Sequence, residues 1–142
     1  MIKDAVALTG ALTIAVNNEV VQETKNLVVT AGKNWVADRM KGVNDPIGWM
    51  AIGTGTTAAD AGDTTLVTEL DRNALATSGG TVSGNTITFE TTWAAGDGTG
   101  AVTEAGLFDA ASGGDMLART VFSVVNKAAL DSMTITWTIT VS

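Results

Sequence analysis

The chain has 142 residues, a net charge of −7, and neither cysteine nor histidine. Their absence excludes disulfides, thiolate metal sites, Ser-His-Asp and Cys-His machinery and histidine-based zinc centres, leaving carboxylate pairs, Ser-Lys pairs and oxygen-ligand metal sites. A globular chain of this length buries about 68–70% of its extended surface, so residues 1–142 are expected to form one domain without a covalent staple.

The charge is unevenly placed. Residues 42–118 carry ten acidic side chains against one base, Arg72. An acidic middle repels phosphate backbones, so direct nucleic-acid binding is not expected. The start, Lys3 followed by Ala5 to Val16, has the outline of a leader, but Asp4, Thr9, Gly10 and Thr13 interrupt its apolar run. Leu12, Ile14 and Val16 alternate with Ala11, Thr13 and Ala15, which is the period of a strand. No later stretch approaches the roughly 20 apolar residues of a membrane span, so no membrane partner is expected.

Asn17-Asn18 tolerates left-handed backbone and predicts a turn, after which Glu19 to Val29 reads as one or two extended segments. Thr30 is a potential cap for a helix over 34–41, where Trp35, Val36, Arg39 and Met40 fall on adjoining turns and Gly42 ends the run. Such a helix is expected to cover an open end or edge of the sheets. Pro46 marks a turn before a short strand, Trp49 to Ile52, and Asp60 or Asp63 could cap a helical turn over 64–69. Strands are predicted at Leu70 to Thr77 and Thr86 to Trp93, with turn signals at Ser78-Gly79-Gly80 and Ser83-Gly84-Asn85. Val102 to Phe108 and Met116 to Val125 flank Ser112-Gly113-Gly114 as a hairpin. The clearest signal is last: Met133, Ile135, Trp137, Ile139 and Val141 alternate with Thr134, Thr136, Thr138, Thr140 and Ser142. Period two places the large apolar groups on one face of a strand and the hydroxyls on the other. The fold class is therefore mostly β, an antiparallel β-sandwich or jelly-roll-like domain with one short α-helix.

The segment Ile52 to Thr57 is glycine-rich but lacks the G-K-[ST] ending of a P-loop and the third glycine of a dinucleotide fingerprint, so a permissive turn explains it better than a nucleotide site. Asp60, Asp63, Asp97, Asp109 and Asp115 lie in glycine-rich loops of the kind that hold calcium, but none has EF-hand spacing, and capping and turn roles account for them. No catalytic residue, cofactor or metal is assigned, and the protein is not expected to be an enzyme. Glu104, Arg72 and Arg119 fall inside strand patterns, Glu104 between apolar neighbours. A carboxylate there needs a partner, and either arginine could supply it, within one subunit or across an interface. Trp35, Trp93 and Trp137 suit core packing, whereas Trp49, after Pro46-Ile47-Gly48, is a candidate anchor for a subunit contact.

The run Trp49 to Thr57 with Asp63 to Leu66, Glu69 and Arg72, then Gly100 to Phe108, Met116 to Phe122 and Asp131 to Thr140, resembles tailed-bacteriophage virion structural proteins. These include capsid decoration (cement), tail-fibre and baseplate components. The resemblance implies a part of the virion, and the compact length favours a decoration protein on the phage head, made in the bacterial cytoplasm. Its partners would be the major capsid protein and copies of itself, as a dimer or trimer. Under the tail-fibre or baseplate alternative a host-surface receptor replaces the capsid. Residues 1–29 match the pattern least, which makes them the expected arm for assembly contacts, with Leu12, Ile14 and Val16 as interface candidates through strand addition.

Overall fold

The computed structural model describes residues 4–142; Lys3, the charged start of the leader-like stretch, lies outside them. The elements run β1 (Leu8–Val16), β2 (Glu19–Lys25), β3 (Leu27–Val28), α1 (Thr30–Lys41), β4 (Trp49–Gly53), β5 (Glu69–Ala74), β6 (Thr81–Ser83), β7 (Thr86–Trp93), β8 (Gly100–Phe108), β9 (Met116–Lys127) and β10 (Met133–Val141). They form two five-stranded antiparallel sheets, ordered β2-β1-β10-β7-β6 and β3-β9-β8-β4-β5. The result is a β-sandwich.

The core lies between the sheets. From the first sheet come Leu12, Ile14, Phe89, Trp93, Met133, Ile135, Trp137 and Ile139, and from the second Met50, Ile52, Val102, Ala105, Leu107, Leu117, Phe122 and Val125. The alternation of β10 holds as far as Ile139: its odd residues are buried while Thr134, Thr136, Thr138 and Thr140 line the outer face. There the hydroxyls join neighbouring strands, with Thr92 to Thr134 at 2.8 Å, Thr88 to Thr138 at 3.3 Å and Thr136 donating to Glu90 at 2.9 Å. Trp137 is fully buried and its indole N–H donates to Asn26 Oδ1 at 2.8 Å. Burying so large a ring without that acceptor would leave an unpaired donor in the core.

Several expectations need correction. Leu12 and Ile14, expected at an interface, are buried in the chain's own core, because β1 lies between β2 and β10 instead of extending as an arm. Val16 is half-buried against the same core. Thr30 does not cap the helix: Val29 occupies that position, and the Thr30 amide donates to Ala61 O at 2.8 Å. The helix starts earlier than predicted but ends where expected, at Gly42 in the left-handed region, with Gly42 and Val43 amides closing on Arg39 and Asp38 carbonyls. No helical turn forms over 64–69, where Asp60 and Asp63 brace an irregular loop through side-chain bonds to the Gly62 and Asp60 amides.

The chain changes sheets twice through elements that look continuous in sequence. β5 and β7 belong to different sheets, and the two-residue Gly84-Asn85 turn pairs β7 with β6 instead. β2 and β3 are likewise separated only by Asn26 yet lie on opposite layers. Since β3 pairs only with Arg119 and Ala118 of β9, among the described residues no strand forms a ladder with the edge of β9 from Val121 onward. At that edge the Gln22 side chain receives the Ser123 amide at 3.1 Å and donates to the Ser123 carbonyl at 2.8 Å.

Helix α1 is held against β9 through Gly32, which is buried beside Leu117; an added Cβ would collide with the Leu117 carbonyl oxygen. Backbone cannot yield as a flexible side chain can. Gly32→Ala is therefore expected to destabilise the protein by about 1–3 kcal/mol, outweighing the roughly 1 kcal/mol that alanine contributes to helix propensity. Urea unfolding with an unchanged or raised midpoint would show that the helix is free to move away from β9.

Candidate functional site

Part of the outer face of the second sheet is closed to solvent. Ala51, Phe108 and Met116 project from it and pack with Val29 and Leu66 into a second apolar cluster, flanked by Ala31 and Trp49. Leu66 belongs to the irregular loop 54–68, which is folded down onto the sheet. Trp49 thus serves first as a packing residue within the chain and is half-buried.

Glu104 and Arg119 sit under this loop, both with side chains fully excluded from solvent. Arg119 donates to Glu104 Oε2 from Nε at 3.1 Å and from Nη2 at 2.8 Å. Three loop amides complete the carboxylate's shell: Gly55 to Oε1 at 3.1 Å, Thr68 to Oε1 at 2.8 Å and Val67 to Oε2 at 3.1 Å. Arg119 also reaches Asp63 at 2.8 Å and the Thr57 carbonyl at 2.9 Å, fastening the middle of the loop. The glycine-rich turn therefore does cradle an anion, but the anion is the chain's own carboxylate. A side chain at Gly55 would place Cβ 2.6 Å from Glu104 Oε1, so only glycine admits this approach.

A register shift between Val102 and Glu104 explains how two consecutive residues serve one loop. In a regular strand neighbouring side chains face opposite sides. With the bulge, Val102 and Ala105 stay in the core while Thr103 donates to the Gly55 carbonyl at 2.7 Å and Glu104 receives the Gly55 amide.

Arg72 is not the partner of Glu104. It pairs with Glu69, with its nitrogens 2.7 and 3.1 Å from the two carboxylate oxygens, and its guanidinium carbon lies 3.8 Å from the centre of the Phe108 ring. From there it donates to the Ala110 and Gly113 carbonyls, both at 2.9 Å, tying down the β8–β9 turn. Sequence reasoning also missed Lys127, which is buried with Nζ donating to the Ala94 carbonyl at 3.0 Å. Its alternation with Val125, two residues earlier on the same strand face, is the signal that could have drawn notice.

The arrangement holds structure and leaves no group free for proton transfer at Glu104. Its two oxygens accept five hydrogen bonds, and its side chain has no exposed surface. Among the described residues no three Asp or Glu side chains converge to hold a metal ion. Asp109 instead receives the Asp115 amide at 2.7 Å, within the β8–β9 turn.

Burial alone would push the Glu104 carboxyl up. The Thr68 amide, the Arg119 guanidinium and the Val67 and Gly55 amides together outweigh it and hold the group below its ordinary value of 4.5. A carboxyl that titrates lower when folded stabilises fully above its ordinary value, and that stabilisation is lost as pH falls through the lowered one. Thermal stability is thus expected to decline below about pH 4.5, more steeply than in Glu104→Gln. At neutral pH the substitution leaves the Arg119 charge buried without its main partner and should cost about 3–5 kcal/mol. Hydrogen exchange checks the site directly: the Gly55, Val67 and Thr68 amides should lose protection in the variant, and retained protection would refute the anchoring role.

No curated protein and no solved structure matches the chain. The family described as podophage GP4 fiber I protein gp80 does, over residues 34–137. That stretch takes in every residue of the Glu104–Arg119 centre, the loop it holds and all of the second sheet except β3. Matching nearly three quarters of its length, the chain belongs to the podophage GP4 fiber I protein gp80 family and is a structural component of the phage virion.

Proposed function

We propose that this protein is a non-catalytic component of a phage tail fibre, acting by contact with copies of itself and with neighbouring tail proteins. The observation that carries this reading is the family match over 34–137, whose description is that of a fibre protein. The chemistry of the buried centre is consistent with it. The acidic group in the least ordinary setting, Glu104, is consumed in holding a loop, and the buried cations among the described residues, Arg119 and Lys127, are likewise engaged in internal hydrogen bonds. What remains for function is surface, and a host-surface ligand is one partner that a fibre would present it to.

The placement on the head surface expected from length and sequence resemblance is the competing outcome of the same experiment. Immunogold labelling of purified virions with antibody to this chain should mark the tail fibres, and gel densitometry should give copies in the tens per particle. Label over the head, with copies in the hundreds, would replace the fibre reading with a decoration role bound to the major capsid protein.

A further inference from the structure

The two ends of the sandwich differ in shape and charge. Where β1 begins and β10 finishes, an apolar groove of about 1280 Å³ runs between those strands, β3 and α1. Val6, Leu8, Val28, Val36 and Met40 line it, and Val6 and Met40 are 76% and 85% exposed. The charged side chains on its walls are Lys25 and Lys33, both basic. In a protein of net charge −7 this is where exposed positive charge is found: among the described residues the exposed cations are Lys25 and, on α1, Lys33, Arg39 and Lys41, of which Lys25 and Lys33 line the groove while Arg39 donates to the Asn44 carbonyl. Arg119 and Lys127 are buried, and Arg72 is engaged internally.

At the other end of β1 and β10 the β1–β2 and β9–β10 turns are locked into one projection. Asn17 donates from its backbone to the Ser132 carbonyl at 2.8 Å and from its side chain to Asp131 at 2.9 Å, and Ser132 returns a bond to Asn17 Oδ1 at 3.0 Å. Asp131 also receives the Ala128 amide at 2.9 Å, and the Gly96 amide holds Ala129 from the side at 2.7 Å. On this braced turn Leu130 is 88% exposed, with Val20, 57% exposed, on the adjoining strand. The charges around it are Glu19, Asp97 and Asp131, and the one nearby cation, Lys127, is buried.

We propose that the groove beside α1 receives the Leu130 projection of a second copy of this chain, so that molecules join head to tail. Apolar surface meets apolar surface, and a basic rim meets an acidic tip. The projection is rigid before contact, so little side-chain and loop freedom is lost on docking, the condition under which a single exposed apolar residue contributes most. Nine-residue strands separate the two features by about 25–30 Å, so a molecule cannot fill its own groove. Two different surfaces meet at each joint, and the association grows as a column or closes as a ring instead of stopping at a two-fold dimer. The inference deepens the assembly reading above, yet it is tested on free protein: a monomeric chain that labels fibres would overturn the contact and leave the fibre role standing.

Sedimentation of the full chain over a range of concentrations should show species beyond the dimer, weakening with salt as the charged rim is screened. Leu130→Asp and Lys33→Glu should each raise the dissociation constant at least about tenfold, with unfolding midpoints close to the parent's because both positions are exposed. The deciding measurement is the mixture. Leu130→Asp retains a working groove and Lys33→Glu a working projection, so an equal mixture should form a dimer that grows no further. A parent chain that stays monomeric, variants that associate like the parent, or a mixture that remains monomeric would each overturn the head-to-tail contact.

Discussion

A single buried carboxylate decides whether half of the second sheet can be covered at all. Taking an isolated glutamate out of water costs several kcal/mol, and a buried ion pair recovers this only when every remaining lone pair is satisfied. Glu104 meets that condition with five donors, three of them from the loop backbone. The same carboxylate therefore grips the loop near both ends, at Gly55 and at Val67 and Thr68, while Arg119 holds its middle through Asp63 and Thr57. Fifteen residues without regular structure are unusual in a compact fold. Here the charge centre supplies the hydrogen bonds that a helix or ladder would otherwise provide. Once the loop lies flat, Leu66 seals Phe108 and Met116, which would otherwise be an exposed apolar patch.

How far this was legible varies with how local the cause is. The inward face of β10, the Asn17-Asn18 turn and the glycine that stops α1 all follow from residues within a few positions of one another, and all were readable. Glu104 stood out as a charge among apolar neighbours, and Arg119 was one of two partners that the strand pattern allowed. The choice between Arg119 and Arg72 was not readable, because it depends on β9 and β5 lying on opposite sides of the β8–β4 pair. Nor could three backbone amides be seen in a sequence, since amides carry no residue signature. Their commitment to Glu104 is also why no helical turn forms over 64–69: the Val67 and Thr68 amides have a better acceptor than a carbonyl four residues back. Leu12 and Ile14 misled for the opposite reason. Their alternation correctly marked a strand, but alternation cannot distinguish a strand that stays home from one that leaves.

Membership in a fibre family sits naturally on a fold whose charged interior is wholly committed to its own architecture. Charge that is buried and satisfied contributes rigidity and leaves little to titrate near neutrality. The exposed features held in fixed positions are elsewhere, at the braced turn of Leu130 and the helix-side groove. The threonine-lined outer face of the first sheet, with hydroxyls bonded across strands, is by contrast partly self-satisfied.

The Gln22 contact with Ser123 has a consequence for how such a protein can be crowded without harm. An unpaired strand edge offers its backbone to any passing strand, including the same edge of another copy. Gln22 presents an amide group to β9 that mimics a peptide unit, occupying both the donor and the acceptor of Ser123. A newcomer strand would have to displace that side chain before pairing, and would meet β2 directly behind it. At the high local concentrations of particle assembly, this discourages fusion through a backbone ladder at the β9 edge, the route to amyloid-like growth.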